Sequence, residues 1–473
     1  MKICAIVASF CEEFKRICDV FRADGSFAGD EDLASSDYLK LADMLHSASN
    51  GAGVKAITEY VESCDPLAPT ISADGVAARY KGKESKQFHV GFGVAEIQRR
   101  MYQGKGGGSV IAPLDHMFGV ADEYFFPDIR EAIAYSVAVS TPEEVVENMA
   151  KLSRNAPSAT AVRRMVRQTG EKMEAARAQL ESATSLALRI PEKPLGAMVA
   201  SMDGATAPIR IEKTKDSRKY KVDFKVAMAG TVGLYGEAAL GRNGDWEMER
   251  IASMGFARMP EEKYPTFKKS FDDEVAKVSA ALPASLPRIL LMDGATHQWS
   301  HVEDNPLYED FHKLIDYYHM SEHLHDAAEA LFGSGTSKGR KWKDKWEKTL
   351  LEKEGKAEGV WRSIEYFMWR RRLGKLAREQ VEKQVTYFRN NYRRMNYAWF
   401  RSRGLPIGSG PVEACCKSLI KRRLCDAGMS WVTDGGQSVL TLRAHRKAGD
   451  WNRMWSAYNQ IQKENDITLE IAA

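Results

Sequence analysis

Pro287-Arg-Ile-Leu-Leu-Met-Asp-Gly-Ala-Thr296 is the stretch on which the fold turns. Residues 288–292 form a compact apolar run without alternation, the pattern of a strand buried on both faces. Asp293 ends that run and Gly294 opens a turn. The string Met-Asp-Gly-Ala-Thr also occurs at 202–206, again behind a mostly apolar run, 195–202. An acid at the end of a buried strand, followed by Gly, projects a carboxylate into the crevice where open α/β sheets bind ligands. Asp-Gly also begins ordinary turns, so each copy alone is a weak signal. Repetition at two strand ends is the stronger one.

Working outward, residues 220–228 alternate through Val222, Phe224, Val226 and Met228 and read as a half-buried strand. Residues 248–256 read as a third strand and 260–282 as a helix. After the strand at 288–292, residues 313–318 read as a fifth strand and 321–332 as a helix. This is the element order of an RNase H-like mixed sheet. Two neighbouring strands ending in Asp203 and Asp293 would bring two carboxylates together, a costly arrangement unless a cation shares them. Mg²⁺ takes oxygen ligands and keeps waters and substrate phosphate in its shell. Two such ions about 4 Å apart hold the attacking and leaving oxygens of a phosphoryl transfer. A third acid is available at Glu413, in the first turn of a helix entered through the Gly-rich run 404–412. Acids are also favoured there simply by the positive helix end.

The 473 residues carry 68 Lys+Arg and 64 Asp+Glu, a net charge of +4. That near-neutrality hides an uneven distribution. Residues 1–140 hold 14 basic and 20 acidic side chains (14 − 20 = −6), whereas 338–403 hold 20 and 8 (20 − 8 = +12). The second stretch is also aromatic, from Trp342 through Trp361, Tyr366, Trp369 and Tyr387 to Phe400. Basic side chains interleaved with aromatics suit a phosphate-binding surface. The bland reading is a helical block whose aromatics form its own core. Its sharpest local features are Arg370-Arg371-Arg372 and Arg393-Arg394.

Upstream, Thr141-Pro142-Glu143-Glu144 is a strong helix start, with a cap, Pro at the first position and acids on the positive end. Residues 145–152 continue the helix, and 155–157 break it. Ser158 caps a second helix with Arg163, Arg164 and Arg167 on its exposed face, and a connector helix at 170–187 follows. Helix, turn, basic helix is a helix-turn-helix pattern. The first ~70 residues read as helical, at 5–21, 37–48 and 52–64. Residues 75–112 show no clear period and read as a few short strands.

Seven cysteines, an odd and sparse set with no C-x-x-C pair, argue against a disulfide framework or a zinc ribbon. Cys4, Cys11 and Cys18 are spaced seven apart and read as one buried helix face. No run approaches the ~18 apolar residues of a membrane span, and the apolar start ends at Cys11-Glu12-Glu13, too soon for a secretory leader. The default is a cytosolic protein.

Four stretches bear a family resemblance. They are Ser201-Met-Asp-Gly204, Leu291-Met-Asp-Gly294, Asp316-Tyr-Tyr-His-Met-Ser-Glu-His323 and Pro406-Ile-Gly-Ser-Gly-Pro-Val-Glu-Ala-Cys-Cys-Lys417. The last continues through Gly428-Met-Ser-Trp431, Asp434-Gly-Gly-Gln437 and Leu442-Arg-Ala444. Over residues 195 to about 457 the chain resembles bacterial insertion-sequence transposases of the ISKra group, Asp-Asp-Glu enzymes with an RNase H-like domain. The resemblance implies Asp203, Asp293 and Glu413 as catalytic acids and ligands of two Mg²⁺ ions, with Mn²⁺ able to substitute. It places Asp316 and His319 near the site, where a His satisfied by a neighbouring carboxylate is equally a structural element. It makes residues 338–403 an insertion between the second Asp and the Glu. Lys417, Lys421, Arg422 and Arg423 become candidate backbone contacts and Trp431 a candidate base-stacking side chain. The implied reaction is cleavage at transposon ends, then attack of the freed 3′-hydroxyl on target DNA. Its implied setting is a homodimer on double-stranded DNA in a bacterial cytoplasm, nucleoid-associated.

The expected class is therefore α+β or α/β: an RNase H-like mixed sheet flanked by helices, interrupted by an all-helical insertion and preceded by a mainly helical N-terminal region. Expected divisions are 1–130 (role unread), 131–190 (helix-turn-helix and connector), 191–335 (first part of the catalytic core), 336–404 (insertion) and 405–473 (final part). Two other functions fit the same residues: a DNA-binding regulator without catalysis, and a nuclease that cuts without joining. A carboxylate-pair glycosidase fits poorly beside the basic aromatic block.

Overall fold

The computed structural model describes residues 31–152, 156–213, 220–241 and 244–471, with residues 11, 12, 15 and 19. The chain is a mixed α+β protein dividing into two compact units, Met1–Ala176 with Met454–Ala473, and Arg177–Arg453. Among the described residues no helix is long and apolar enough to cross a membrane.

In the first unit, the helix Glu31–Ser63 is followed by β1 (Thr70–Ala73), β2 (Val76–Val90), β3 (Gly93–Gly104) and β4 (Val110–Ile111). The described N-terminal region is thus mostly helical, but it also carries a sheet where only a few short strands were expected. Its sheet runs β12-β1-β2-β3-β4, antiparallel throughout, and the chain's last strand, Leu469–Ile471, supplies its edge. The hairpin β2–β3 is long but largely solvated: the side chains of β3 that alternate into the core are Ala95, Ile97, Arg99 and Tyr102. A buried Arg in that series, paired with Asp115 at 2.5 Å, interrupts the apolar alternation that would have marked the strand. The expected break between helices at residues 49–51 does not occur. Gly51 and Gly53 lie inside one helix, and a Cβ at Gly53 would collide with the Phe92 ring of the hairpin turn. Cys11 is helical but exposed rather than part of a buried face, while Cys4 and Cys18 lie outside the described residues.

Helices Pro127–Val137, Pro142–Lys151 and Ala159–Ala175 complete this unit before the chain returns at its end. Thr141 makes the expected capping box: its Oγ accepts from Glu144 N–H at 3.2 Å, and its own N–H donates to Glu144 Oε2 at 2.6 Å. Ser158 accepts from Ala161 N–H at 3.1 Å. The separate connector helix expected from residue 170 is instead the second half of Ala159–Ala175, because Val162, Met165, Val166, Thr169 and Met173 keep one continuous buried stripe. A shorter helix, Arg177–Thr184, belongs to the second unit. Thr141→Ala removes one satisfied helix-end donor and is expected to cost roughly 1 kcal/mol, read as a lower urea midpoint. An unchanged midpoint would show that the cap contributes nothing.

The second unit is built on β5 (Leu195–Lys213), β6 (Tyr220–Gly236), β9 (Arg250–Arg258), β10 (Arg288–Met292) and β11 (His312–Ile315), with β7 (Ala239–Leu240) and β8 (Trp246–Glu247) forming a small ribbon. The order is β11-β10-β5-β6-β9. β5, β6 and β9 are antiparallel neighbours, while β10 and β11 run parallel to β5. β10 is buried along Ile289–Met292, as its unbroken apolar run predicts. Helix Pro265–Ala280 crosses between β9 and β10, burying Phe267, Phe271, Val275 and Val278. Helix Tyr317–Phe332 follows β11. Residues 337–401 are helical throughout their regular elements, in four α-helices, Ser337–Glu352, Glu358–Arg370, Lys375–Asn391 and Tyr397–Arg401, with a short 3-10 helix at Tyr392–Arg394.

Most aromatics of that block are its core. Phe388 and Tyr397 are fully buried, and Trp342 and Phe400 nearly so. Tyr366 and Trp369 remain exposed, with Arg370 over one ring at 5.0 Å and Arg378 over the other at 5.3 Å.

Candidate active site

The register of three parallel strands sets the site. Leu290 pairs with Ala200, and Met292 pairs with Ile315. Counting forward, Asp293 comes level with Asp203 on one side and Asp316 on the other, on strands about 4.8 Å apart. Asp293 and Asp316 do stand at strand ends. Asp203 does not: β5 continues through it to Lys213, with Asp203 opposite Ala229 of β6. The strand persists because Ala205, Ala207 and Ile209 remain buried on the same face as Asp203, under the helix that carries Glu413.

That helix is placed by its apolar side. Gly410–Cys415 widens into a π-helical stretch, Cys416–Lys421, and buries Cys415, Cys416, Leu419 and Ile420 against Ala205, Ala207, Ala227 and Ala229. The alanines leave room for the close approach. Burial pushes the Cys415 thiol up to about 12 and raises Cys416 as well. The Cys416 thiol also bonds Asp203, whose negative charge adds to the rise. Both cysteines are therefore thiols, and neither is a nucleophile.

Asp293 is the most perturbed acid of the group. Burial, then the nearby Asp203 charge, push its carboxyl above the ordinary 3.8, with His319 acting in the opposite sense. Its Oδ1 is buried with no partner among the described residues, while its carbonyl accepts from Trp299 Nε1 at 2.6 Å. Glu413 shares the region but not the pair. It is exposed, and Lys417 Nζ holds its Oε1 at 2.6 Å. Among the described residues, no three His, Cys, Asp or Glu side chains are grouped closely enough to hold a metal ion.

Asp316 has a structural task. One carboxylate oxygen accepts from His319 N–H at 2.8 Å and caps helix Tyr317–Phe332; the other accepts from Ser409 N–H. With Tyr317 N–H donating to Ile407 O at 2.9 Å, this ties the strap 407–409 to the sheet edge just before Glu413. His319 is partly exposed, with Glu322 3.6 Å away.

The candidate DNA contacts divide. Arg370, Arg372, Arg393, Lys421 and Arg422 are exposed in the second unit, and Arg163, Arg164 and Arg167 in the first. Arg163 pairs with Glu143 and Arg167 with Glu171, while Arg164 lies over Tyr124 at 5.1 Å. Four expected contacts are internal instead. Arg371 donates to Leu331 O at 2.7 Å and stacks on Phe332. Arg394 stacks on Trp299 and pairs with Glu303. Arg423 is 3% exposed and lies over Trp431. The Trp431 ring donates to Leu424 O at 3.0 Å, so the side chain expected to stack on a base packs within the fold. In each case the stem or ring had apolar surface to cover, which a charge count along the chain does not register.

Two residues near the acids carried no site signal in the sequence. Cys416 lies inside the quoted stretch 406–417 but was given no role there, reading as an ordinary small apolar position. Tyr387 reads as one aromatic among many, but its ring packs against Gly294 and stacks on His323 at 3.5 Å between centroids.

No family model matches the chain, and no curated protein matches it. Among solved structures it is similar to the Drosophila P element transposase strand transfer complex, with 10% identity and a TM-score of 0.26, over 73% of this chain and 82% of that one.

Proposed function

We propose that the protein is a DNA transposase of the Asp-Asp-Glu type with an RNase H-like core, cutting at transposon ends and joining the freed 3′-hydroxyl to target DNA. The observation that carries this reading is that Asp203 and Asp293, each within a Met-Asp-Gly-Ala-Thr string, follow the parallel pairing of β5 and β10 and act on each other's charge. The sheet order, the intervening helical block and the strap that delivers Glu413 support it.

Two neighbouring carboxylates fit a hard divalent cation, which would offset the burial and the Asp203 repulsion that raise Asp293. Asp203 and Asp293 would hold Mg²⁺, or Mn²⁺ in its place, and Glu413 would join them by exchanging Lys417 for the ion. When bound, the metal supplies Lewis-acid charge for phosphoryl transfer. The chain's own residues do the positioning. Asp316 fixes the strap, the buried cysteines seat the Glu413 helix against β5, and the exposed arginines and Lys421 meet backbone phosphates. The helix pair Pro142–Lys151 and Ala159–Ala175 is assigned to DNA binding as a helix-turn-helix, and two copies of the chain to one joined pair of ends.

The test is incubation with transposon-end DNA and Mg²⁺, scoring cleavage, strand transfer and protein copies per complex. Cleavage without joining would reduce the reading to a nuclease. Binding without cleavage would favour a regulator, a reading for which the Lys417–Glu413 pair is the specific support.

A further inference from the structure

The helical block between β11 and the Glu413 helix contributes one side chain to the acidic site. Tyr387 lies on helix Lys375–Asn391, whose neighbours Val381, Val385 and Phe388 anchor it in the core. Its ring rests where Gly294 leaves space; a Cβ at residue 294 would collide with it. The opposite support is His323, stacked on the ring and held by Gln384 at 2.7 Å. Gln384 lies one turn earlier on the same helix as Tyr387, so the clamp and the ring move together. The ring is thereby fixed next to Gly294, and its hydroxyl feels the charges of Asp293, Asp316 and, more weakly, Glu322.

That hydroxyl is buried and has no hydrogen-bond partner among the described residues, and the same is true of Asp293 Oδ1. A buried hydroxyl without a partner costs on the order of 1–3 kcal/mol, and Phe at this position would avoid the cost with the same shape. We infer that the Tyr387 hydroxyl is a hydrogen-bond donor of the acidic site, reserved for a nonbridging oxygen of the phosphodiester that Asp203 and Asp293 engage. The helical block then has two tasks: an outer surface that meets DNA, and an inner phenol that stabilises charge on the reacting phosphate. This inference rests on the phosphoryl-transfer reading above.

Tyr387→Phe tests it on the full-length protein with end DNA and Mg²⁺. The expected result is a fall in kcat of roughly 100-fold, the usual loss for one removed oxyanion donor, with KM for DNA within about twofold. The melting temperature of the DNA-free variant should equal or exceed that of the wild type, since no bond is lost in the resting protein. A wild-type kcat in the variant would overturn the inference and leave the transposase reading standing. A clear drop in melting temperature would overturn it too, by showing that the hydroxyl has a structural partner. A wild-type protein that binds end DNA but never cuts it would instead remove the reading on which the inference depends.

Discussion

Asp293→Asn should abolish strand cleavage while making the metal-free protein more resistant to heat. The two effects share one cause. Asp293 is a carboxylate held in a half-buried position beside Asp203 and left with a buried, unpartnered oxygen. On the proposed mechanism, removing its charge removes a cation ligand, and the lost electrostatic stabilisation of several kcal/mol corresponds to a rate loss of about 1000-fold or more. The same change relieves a like-charge contact in the resting state. The pH dependence follows from the direction of the shift. The folded-state pKa lies above the unfolded 3.8, so the folded protein binds the proton more tightly. The wild type therefore loses stability as pH rises from about 4 through the raised value, and the variant escapes that loss. In EDTA, the melting-temperature gap should open between acid and neutral pH in favour of Asn. Adding Mn²⁺ should narrow the gap by stabilising the wild type alone, by about 2.7 kcal/mol at one hundred times the dissociation constant. Full cleavage by the Asn variant would remove Asp293 from the chemistry, and a gap that is constant with pH would show that neither burial nor Asp203 raises its carboxyl.

Glu123→Ala should produce the largest loss of stability, in the first unit. Glu123 is 1% exposed; one oxygen accepts from Arg130 at 2.6 Å and the other from Lys172 at 2.6 Å. Arg130 is itself 4% exposed and begins near the start of helix Pro127–Val137, while Lys172 lies near the end of Ala159–Ala175. Alanine leaves a buried guanidinium without its counter-ion, which typically costs about 3–5 kcal/mol. Lys172, a third exposed, can turn to water and adds little. Glu123→Gln keeps the hydrogen-bonding shape and should lose less. Urea denaturation measures both, and an Ala loss below about 1 kcal/mol would show that the site rearranges around the missing acid.

Much of the second unit could be read from local sequence. β10 was placed residue for residue because an unbroken apolar run bounded by Pro287 and Asp293-Gly294 has few alternatives. The capping box at Thr141 was equally plain, since caps are local chemistry. β5 was cut short at Asp203 because an acid followed by Gly reads as a strand end, yet pairing with β6 carried the strand ten residues further. The sheet of the first unit was missed for a different reason. β2 is mostly exposed and lysine-rich, its partner β3 buries Arg99, and β12 comes from the far end of the chain.

Local sequence was enough to find the acids, the run of β10 and the uneven charge, because buried runs, caps and side-chain chemistry are written in neighbouring residues. The tertiary structure alone decided which of those groups meet. It levelled Asp203 with Asp293 through strand register and gave Asp316 to a strap 93 residues away. It turned Arg394, Arg423 and Trp431 inward and set Tyr387 against Gly294. Such pairings depend on packing between segments distant in the chain, where burial of apolar surface chooses the partner and local pattern does not record the choice.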